Sequence, residues 1–378
     1  MATSVEFIDN FDTFRRIAPA WAGLHQAAGG GPFCSVEWAL AWAAAYAPTG
    51  PTPHIAVVWR DDQLVAGALL GIVHGSISAL APAMKVRKLV MLCSERAGYH
   101  EVLVLPGHSD AVVMILDALV DQGNWQIIDL TPIKPGPALE ALAQRAGALG
   151  LMVMQRAEIQ TAICDLAGGW DGYLLRRSAN GRTAIRSTSR EVEANHHKLT
   201  QTGTPGPVAD AVLEKVMDLS QLCWKAQMGT DIGTDPKARL FFRTLWQGLS
   251  ARGAMRLNLV EIDGESAASA TTLIENGQEY GLVLDFNESF AALSPGRYIV
   301  SCALSDAASR GITQMDLLRQ TSFSSRFADR SEEFMRLRLC RRFGVVGIWM
   351  AVENRLRPLG RELRRRHKLR TRKRGAFK

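Results

Sequence analysis

The stretch Met255–Arg297 reads MRLNLVEIDGESAASATTLIENGQEYGLVLDFNESFAALSPGR. Two tight-turn pairs, Asp263-Gly264 and Asn276-Gly277, separate three apolar runs, MRLNLVEI, SAASATTLI and EYGLVLDF. Such pairs predict hairpins because both central residues of a type I′ turn need positive φ. The last strand, Gly281–Phe286, runs through NESFAALSPGR directly into a helix. Ser294-Pro295-Gly296-Arg297 has the composition of a helix start: Ser as N-cap, Pro at the first position, Gly permitting close approach. Unpaired backbone N–H groups and the positive end of the helix dipole make that start an anion site, with Arg297 as an added clamp. The same four residues also read as a well-capped helix with no further role.

Working outward, the helix KARLFFRTLWQGLS precedes this stretch, and a helix from Arg297 to Arg310 leads into the strand TQMDLL. The first half follows the same order. Ser35 N-caps a helix through Trp38 and Ala45, stopped by Pro48 and Pro51. The strand HIAVVW, the turn residues Asp61-Asp62 and QLVAGALLGIV follow; a helix from Asp110 to Asp121 then leads into WQIIDL. Aligning Asp61 with Asp263 places Ala66 on Ala268 and Ala68 on Ala270. Alternating helices and strands in a repeated order predict an α/β class with two similar domains. The expected boundaries are 1–155 and 156–343, followed by a basic tail at 344–378.

At 378 residues the chain is long enough for more than one core, and 47% hydrophobic with 21% charged residues excludes wholesale disorder. Six cysteines without a close pair give no disulfide framework and no zinc knuckle. The longest apolar run, Leu64 to Val73, is far short of the roughly 18 residues of a membrane span. The opening MATSVEFIDNFDTF lacks a basic segment followed by an apolar one, so a cytoplasmic protein is expected. The net charge of +7 divides unevenly: from Arg336 onward there are 16 Lys/Arg and 2 Asp/Glu, which leaves the other 335 residues at 28 basic and 35 acidic. A mildly acidic body argues against nucleic acid as partner, since phosphate binding needs a spread basic surface.

Between the halves, within 170–200, lies a basic, helical stretch in which Arg182, Arg186 and Arg190 recur every four residues on one face. That face is either solvated, with Glu191 and Glu193 as partial counter-ions, or meets an anionic substrate. There is no GxSxG elbow, no dinucleotide or P-loop glycine pattern and no HExxH. His196-His197 are adjacent, point to different faces, and so make no joint metal site; no metal is expected. Gly29-Gly30-Gly31 reads as a loop before an N-cap, or as a phosphate cradle weakened by Pro32, which removes a donor.

An ordered set of stretches carries a resemblance. PFCSVEWALAWAAAYAP, WQIIDLTPI, GGWDGYLLRRSANGRTAIRSTSREVEANHHKLTQTG, RLNLVEIDGESAASATTLI, LDFNESFAALSPGRYIVSCALSDAASRGITQMDLL and EEFMRLRLCRRF together span nearly the whole chain. The chain resembles the CelD-like acyltransferase family of the GNAT superfamily, named for bacterial cellulose-biosynthesis proteins and similar to Fem-type aminoacyl transferases. The resemblance implies two tandem GNAT-like domains, each a mixed sheet flanked by helices. It implies that Ser294, Gly296 and Arg297 face the diphosphate of acyl-CoA, and that Asp285 borders the acyl-transfer cleft as base or orienting acid. Trp224 and Lys225, in QLCWKAQMG, match a family feature at a helix end, where Trp224 also reads as core packing; they and Arg186 are the candidate substrate contacts. Family members continue after the Asp-Leu strand with Gly, an acid and a Tyr-Lys pair. Here Arg319–Arg326 stand instead, with Phe323 in place of the aromatic and Arg326 as the catalytic cation. Arg does not titrate near neutrality and reaches differently from Lys.

The expected activity is transfer of an acyl group, acetyl above all, from acyl-CoA to an amine or hydroxyl. The acceptor implied is a small molecule or a cell-envelope, exopolysaccharide or cellulose precursor. The alternatives are Fem-like aminoacyl transfer from a charged tRNA and a non-catalytic accessory subunit of a polysaccharide synthase complex. The tail FGVVGIWMAVENRLRPLGRELRRRHKLRTRKRGAFK places Val345, Val346, Ile348, Trp349 and Val352 ahead of a dense cationic run. That order predicts peripheral contact with an anionic membrane face; a closing helix packed on the second domain is the competing reading.

Overall fold

The three predicted turns are the joints of the molecule. Asp61, Asp62, Asp263, Gly264, Asn276 and Gly277 all take left-handed φ between 47° and 83°, as type I′ hairpins require. The structure, a computed structural model, describes residues 2–78, 81–92, 98–195, 197–202 and 210–355. The cationic run beyond Arg355, Cys93 and His196 lie outside the described residues.

The first half opens with β1 (Thr3–Ile8), α1 (Phe11–Ala27), α2 (Val36–Tyr46), β2 (Thr52–Pro53), β3 (Ile55–Arg60) and β4 (Gln63–Ala68). It continues with β5 (Leu70–Ser78), β6 (Ala81–Met91), β7 (Leu103–Val104), α3 (Asp110–Gln122), β8 (Ile127–Ile133), α4 (Pro137–Ala148) and β9 (Leu151–Gln160). Next come β10 (Ile163–Asp165), α5 (Gly169–Arg176), α6 (Ala179–Glu193), β11 (His197–Thr202), α7 (Asp210–Gln221), α8 (Trp224–Gln227) and α9 (Pro236–Ala251). Then follow β12 (Met255–Ile262), β13 (Glu265–Glu275), β14 (Gln278–Phe286), α10 (Pro295–Ser309), β15 (Gln314–Asp316) and β16 (Glu333–Arg341). A last helix, α11, occupies 345–355.

The halves repeat in register as well as in order. In the first hairpin Val58 pairs with Ala66 and Trp59 with Leu64, so Val65 is bulged. In the second, Val260 pairs with Ala268 and Glu261 with Ser266, so Ala267 is bulged. At the offset that lays Asp61 on Asp263 these pairs superpose residue for residue. Each half also carries one parallel pairing through a helix: β6 with β8 in the first, β14 with β15 in the second.

Three sheets result. The first half forms a four-stranded sheet, β1-β3-β4-β7, and a six-stranded one, β2-β5-β6-β8-β16-β9; the second half forms β10-β15-β14-β13-β12-β11. The order of the second sheet corrects the expected division at 343. The segment EFMRLRLCR, assigned by sequence to the second domain, crosses back and lies between β8 and β9. Its alternation explains the crossing: Phe334, Leu337 and Leu339 enter the core, while Arg336 meets buried Asp129 with two bonds of 2.7 and 2.6 Å. Arg338 adds a contact to the same carboxylate at 3.3 Å. Burial alone would raise the Asp129 pKa; the Arg336 bonds and the charges of Arg336 and Arg338 outweigh it and hold the carboxyl below its usual range. These two arginines therefore belong to the body rather than to the basic tail.

One continuous core joins the halves. Trp38 on α2 meets Phe241 on α9 edge to face with ring centres 5.1 Å apart, and Phe33 meets Tyr280 of β14 at 6.4 Å. Edge-to-face pairs of this kind add about 0.5–1.5 kcal/mol beyond the area they bury. The halves are thus fixed against each other beside β14, where the candidate site lies.

Candidate active site

The parallel pairing of β14 with β15 is brief. It holds Glu279 to Met315 and Tyr280 to Asp316 and then ends, while β14 runs on to Phe286. Among the described residues, the β15-facing edge of β14 beyond Tyr280 has no strand partner. The divergence is built into the sequence: Thr271 pairs with Val283 but Thr272 with Gly281, so Leu282 is an extra residue. A bulge of this kind bends its strand and re-aims its backbone groups.

A cleft of about 940 Å³ fills the opening. Its floor is β14, from Gly281 to Phe286, and its far wall is Leu317, Leu318, Arg319, Thr321 and Phe323 after β15. Gly296 of α10 closes one side, and Pro132, Glu158 and Ile159 of the first half also line it. In the first half a cavity of only about 20 Å³ lies between the sheet and its helices, lined by apolar side chains including Leu89, Ile115, Leu116 and Leu130. Close-packed aliphatic groups leave no room for a ligand in that space.

The helix start at Ser294 differs in detail from the sequence reading. Ser294 occupies the N-cap position, but it is left-handed (φ 52°, ψ 48°) and its side chain makes no capping bond. The Arg297 and Tyr298 N–H groups instead turn back onto the Ser294 carbonyl at 2.9 and 3.3 Å. A capping side chain is therefore not what terminates the helix; the pre-set φ of Pro295 and the left-handed Ser294 are. Gly296 is needed for space, since a Cβ there would stand 3.3 Å from the Phe286 ring. The Arg297 guanidinium bonds Thr188 Oγ1 on α6 at 3.2 Å, so the Arg-rich helix packs against this start. At the matching position α3 begins with acidic Asp110, which Arg60 binds at 2.6 Å.

Trp224 and Lys225 stand together on α8 at the cleft. Lys225 Nζ donates to Asp285 Oδ1 at 2.6 Å and to the Leu284 carbonyl at 2.8 Å. Asp285 is fully buried, and among the described residues its Oδ2 has no hydrogen-bond partner. An unmatched buried carboxylate oxygen is costly, which makes it notable beside a cleft. A smaller adjoining pocket of about 230 Å³ is lined by Trp224, Lys225, Thr230, Phe242 and Asp285. Trp224 is 44% exposed there, so it is not a core residue.

Of the candidates, then, Trp224, Lys225 and Gly296 line the cleft, Asp285 lines the smaller pocket that adjoins it at Lys225, and Ser294 and Arg297 flank Gly296. Arg186 is exposed on α6 and Arg326 is exposed in a short 3₁₀ turn; neither lines the cleft. Phe323 does line it, and the cation on that wall is Arg319, which sequence reasoning passed over for Arg326. Its position directly after the Asp-Leu strand was the available signal. The wall contributed by Pro132, Glu158 and Ile159 had none, because only the packing of the two halves brings it there. Among the described residues no group of three or more His, Cys, Asp or Glu side chains is placed to hold a metal ion.

Comparison with known proteins adds a class. Residues 179–328 match the acetyltransferase (GNAT) domain family. FemX is similar in structure at 12% identity, with a TM-score of 0.58 over 89% of this chain and 97% of its own. L-PGS from Bacillus licheniformis is similar at 10% identity, TM-score 0.53, over 89% and 95%. A conserved protein of unknown function from Bacteroides thetaiotaomicron VPI-5482 is similar at 12% identity, TM-score 0.51, over 89% and 99%. No curated protein matches the sequence. At such identities the likenesses speak for the fold alone. The fold is a mixed α/β arrangement of two GNAT-like domains. The match over residues 179–328 supports an acyltransferase of the GNAT fold.

Proposed function

We propose that the protein transfers an acyl group, acetyl in the simplest case, from acyl-CoA to an amine or hydroxyl acceptor. The observation that carries this reading is the parting of β14 and β15 over a cleft that ends at an α-helix start. A thioester laid along β14 would stand where a strand partner is lacking, its amides bonding backbone groups of that edge, with the diphosphate at Ser294, Gly296 and Arg297. A backbone N–H of β14 beyond the bulge would meet the oxyanion that develops as the acceptor attacks. Positioning and electrostatic support suffice for direct transfer, without a covalent enzyme intermediate.

The acceptor would enter on the Trp224 side. There the unpartnered Oδ2 of Asp285 is the group available to take up a proton or orient a nucleophile, while Lys225 holds Oδ1. The sequence resemblance to CelD-like proteins favours an envelope, exopolysaccharide or cellulose precursor as acceptor, and a cytoplasmic location beside the inner membrane face fits such a substrate. Calorimetry with acetyl-CoA, followed by a donor and acceptor screen, tests the proposal. Saturable 1:1 binding that Gly296→Trp abolishes supports it; absence of binding to any acyl-CoA defeats it and favours an accessory, non-catalytic role.

A second reading, aminoacyl transfer from charged tRNA, is favoured by the sequence resemblance to Fem-type aminoacyl transferases and by the exposed Arg186 and Arg190 of α6. Binding of aminoacyl-tRNA without acyl-CoA binding distinguishes it.

A further inference from the structure

Helix α11 has two apolar faces, and only one is covered among the described residues. Met350, 1% exposed, packs with Ile77, Val86, Ile127 and Cys340, and Val346 and Trp349 join them. Trp349 Nε1 donates to Ser78 Oγ at 3.2 Å, and buried Glu353 faces Arg338 at 3.8 Å. Gly347 seats the helix start: a Cβ there would stand 2.4 Å from the Arg342 carbonyl oxygen and 2.5 Å from that of Arg341. The helix is therefore mounted on the sheet of the first half, directly after β16.

The opposite face points outward. Val345, Ile348 and Val352 are 69%, 65% and 45% exposed, and Phe343 just before them is 87% exposed. The spacing 345, 348, 352 aligns these side chains in one stripe. Scattered exposed apolar residues are ordinary, whereas a contiguous stripe calls for an occupant. From Arg355 onward the sequence holds 12 Lys/Arg and one Asp/Glu, and Arg341 and Arg342 are exposed ahead of the stripe. Charge complementarity thus demands an anionic partner that also accepts aliphatic groups. Nucleic acid offers phosphate but no use for a valine and isoleucine stripe; a lipid headgroup layer offers phosphate directly above acyl chains.

We propose that the Phe343–Val352 face, with the cationic run that follows it, docks this protein on an anionic lipid surface. The body orients the contact: residues 1–335 carry 28 basic and 35 acidic groups, so an anionic surface repels the rest of the molecule and attracts this end. Because α11 is fixed to the first half, docking sets the orientation of the whole molecule against the lipid. The inference is independent of the acyl-transfer reading, since it uses none of the cleft residues.

The test is sedimentation of the full chain with phosphatidylcholine vesicles that contain or lack phosphatidylglycerol, at low and high salt. Binding only to anionic vesicles, weakened by salt, is expected. Ile348→Glu combined with Val352→Glu should reduce the bound fraction about tenfold, as should Arg364, Arg365 and Arg366→Gln. Both glutamates replace exposed side chains, so circular dichroism and acyl-CoA affinity should match the parent. Equal binding to neutral vesicles, no binding to either, or unchanged binding in the glutamate variant overturns the proposal. A concentration-dependent dimer that the glutamate variant abolishes assigns the stripe to a second copy instead, and RNA binding in place of vesicle binding assigns the run to nucleic acid; either result also overturns it.

Discussion

Lys225 Nζ lies 2.6 Å from Asp285 Oδ1, joining the end of β14 to α8 across a separation of 60 residues. Asp285 is fully buried while the Lys225 side chain is 28% exposed, so the two halves of the pair are not equivalent. Lys225→Met leaves a buried carboxylate without a counter-charge and should cost about 3–5 kcal/mol. Asp285→Asn keeps shape and strands only an exposed-side ammonium, so its cost should be smaller, about 1 kcal/mol. Denaturant titration of both single variants and the double variant measures the difference; equal losses would show that burial of the carboxylate is not what matters.

For turnover the order reverses. With an acceptor identified by screening, Asp285→Asn should lower kcat by about 10²–10⁴ if the carboxylate handles the acceptor proton. Acyl-CoA affinity should not change if Asp285 borders the acceptor side, as proposed. Wild-type turnover in Asp285→Asn would reduce the residue to a holder of Lys225.

At the proposed donor end, Arg297→Ala removes the bond to Thr188 and one charge near the helix start. A loss of about 1.5–3 kcal/mol in acyl-CoA binding is expected from a charge-assisted contact. Arg326→Ala, outside the cleft, should change neither binding nor turnover. Calorimetry on the two variants separates them.

Asp316, at the point where the two strands part, should impose a pH dependence on stability. Burial raises its pKa to about 7, against the opposing bond from the Leu318 N–H at 2.7 Å. In the folded state the carboxyl therefore stays protonated to a higher pH than in the unfolded chain. The stability tied to the neutral form is complete below about pH 4 and is lost as pH rises to about 7, by up to about 4 kcal/mol. Asp316→Asn should flatten that slope, and thermal unfolding from pH 4 to 8 would reveal it; an unchanged slope would assign the dependence elsewhere.

The hairpins were legible because their information is local: Asp263-Gly264 and Asn276-Gly277 select one turn type whatever surrounds them. SPGR announced a helix start for the same reason, although it could not disclose that Ser294 turns left-handed and leaves its side chain out of the cap. What sequence could not supply were pairings across distance. EFMRLRLCR reads equally as the onset of the basic tail and as a strand with a charged face. Only the presence of Asp129, more than 200 residues earlier, makes Arg336 part of the interior. The cleft wall of Pro132, Glu158 and Ile159 is likewise a product of how the two halves pack. Arg319 and Arg326 looked interchangeable by spacing, and the turn at 324–326 sends one to the cleft and the other to solvent.

The insertion of β16 between β8 and β9 has a consequence for biosynthesis. A nascent chain emerges from its amino end, yet Gln160 waits for Glu333, its strand partner, through 173 further residues. Until that segment leaves the ribosome, β8 and β9 face each other across a vacant slot with unpaired amide edges, the kind of surface that invites wrong strand partners. The first half cannot mature as a unit ahead of the second, so cutting the gene between the halves should yield an aggregation-prone fragment. Adding the peptide 333–341 in trans should restore its solubility.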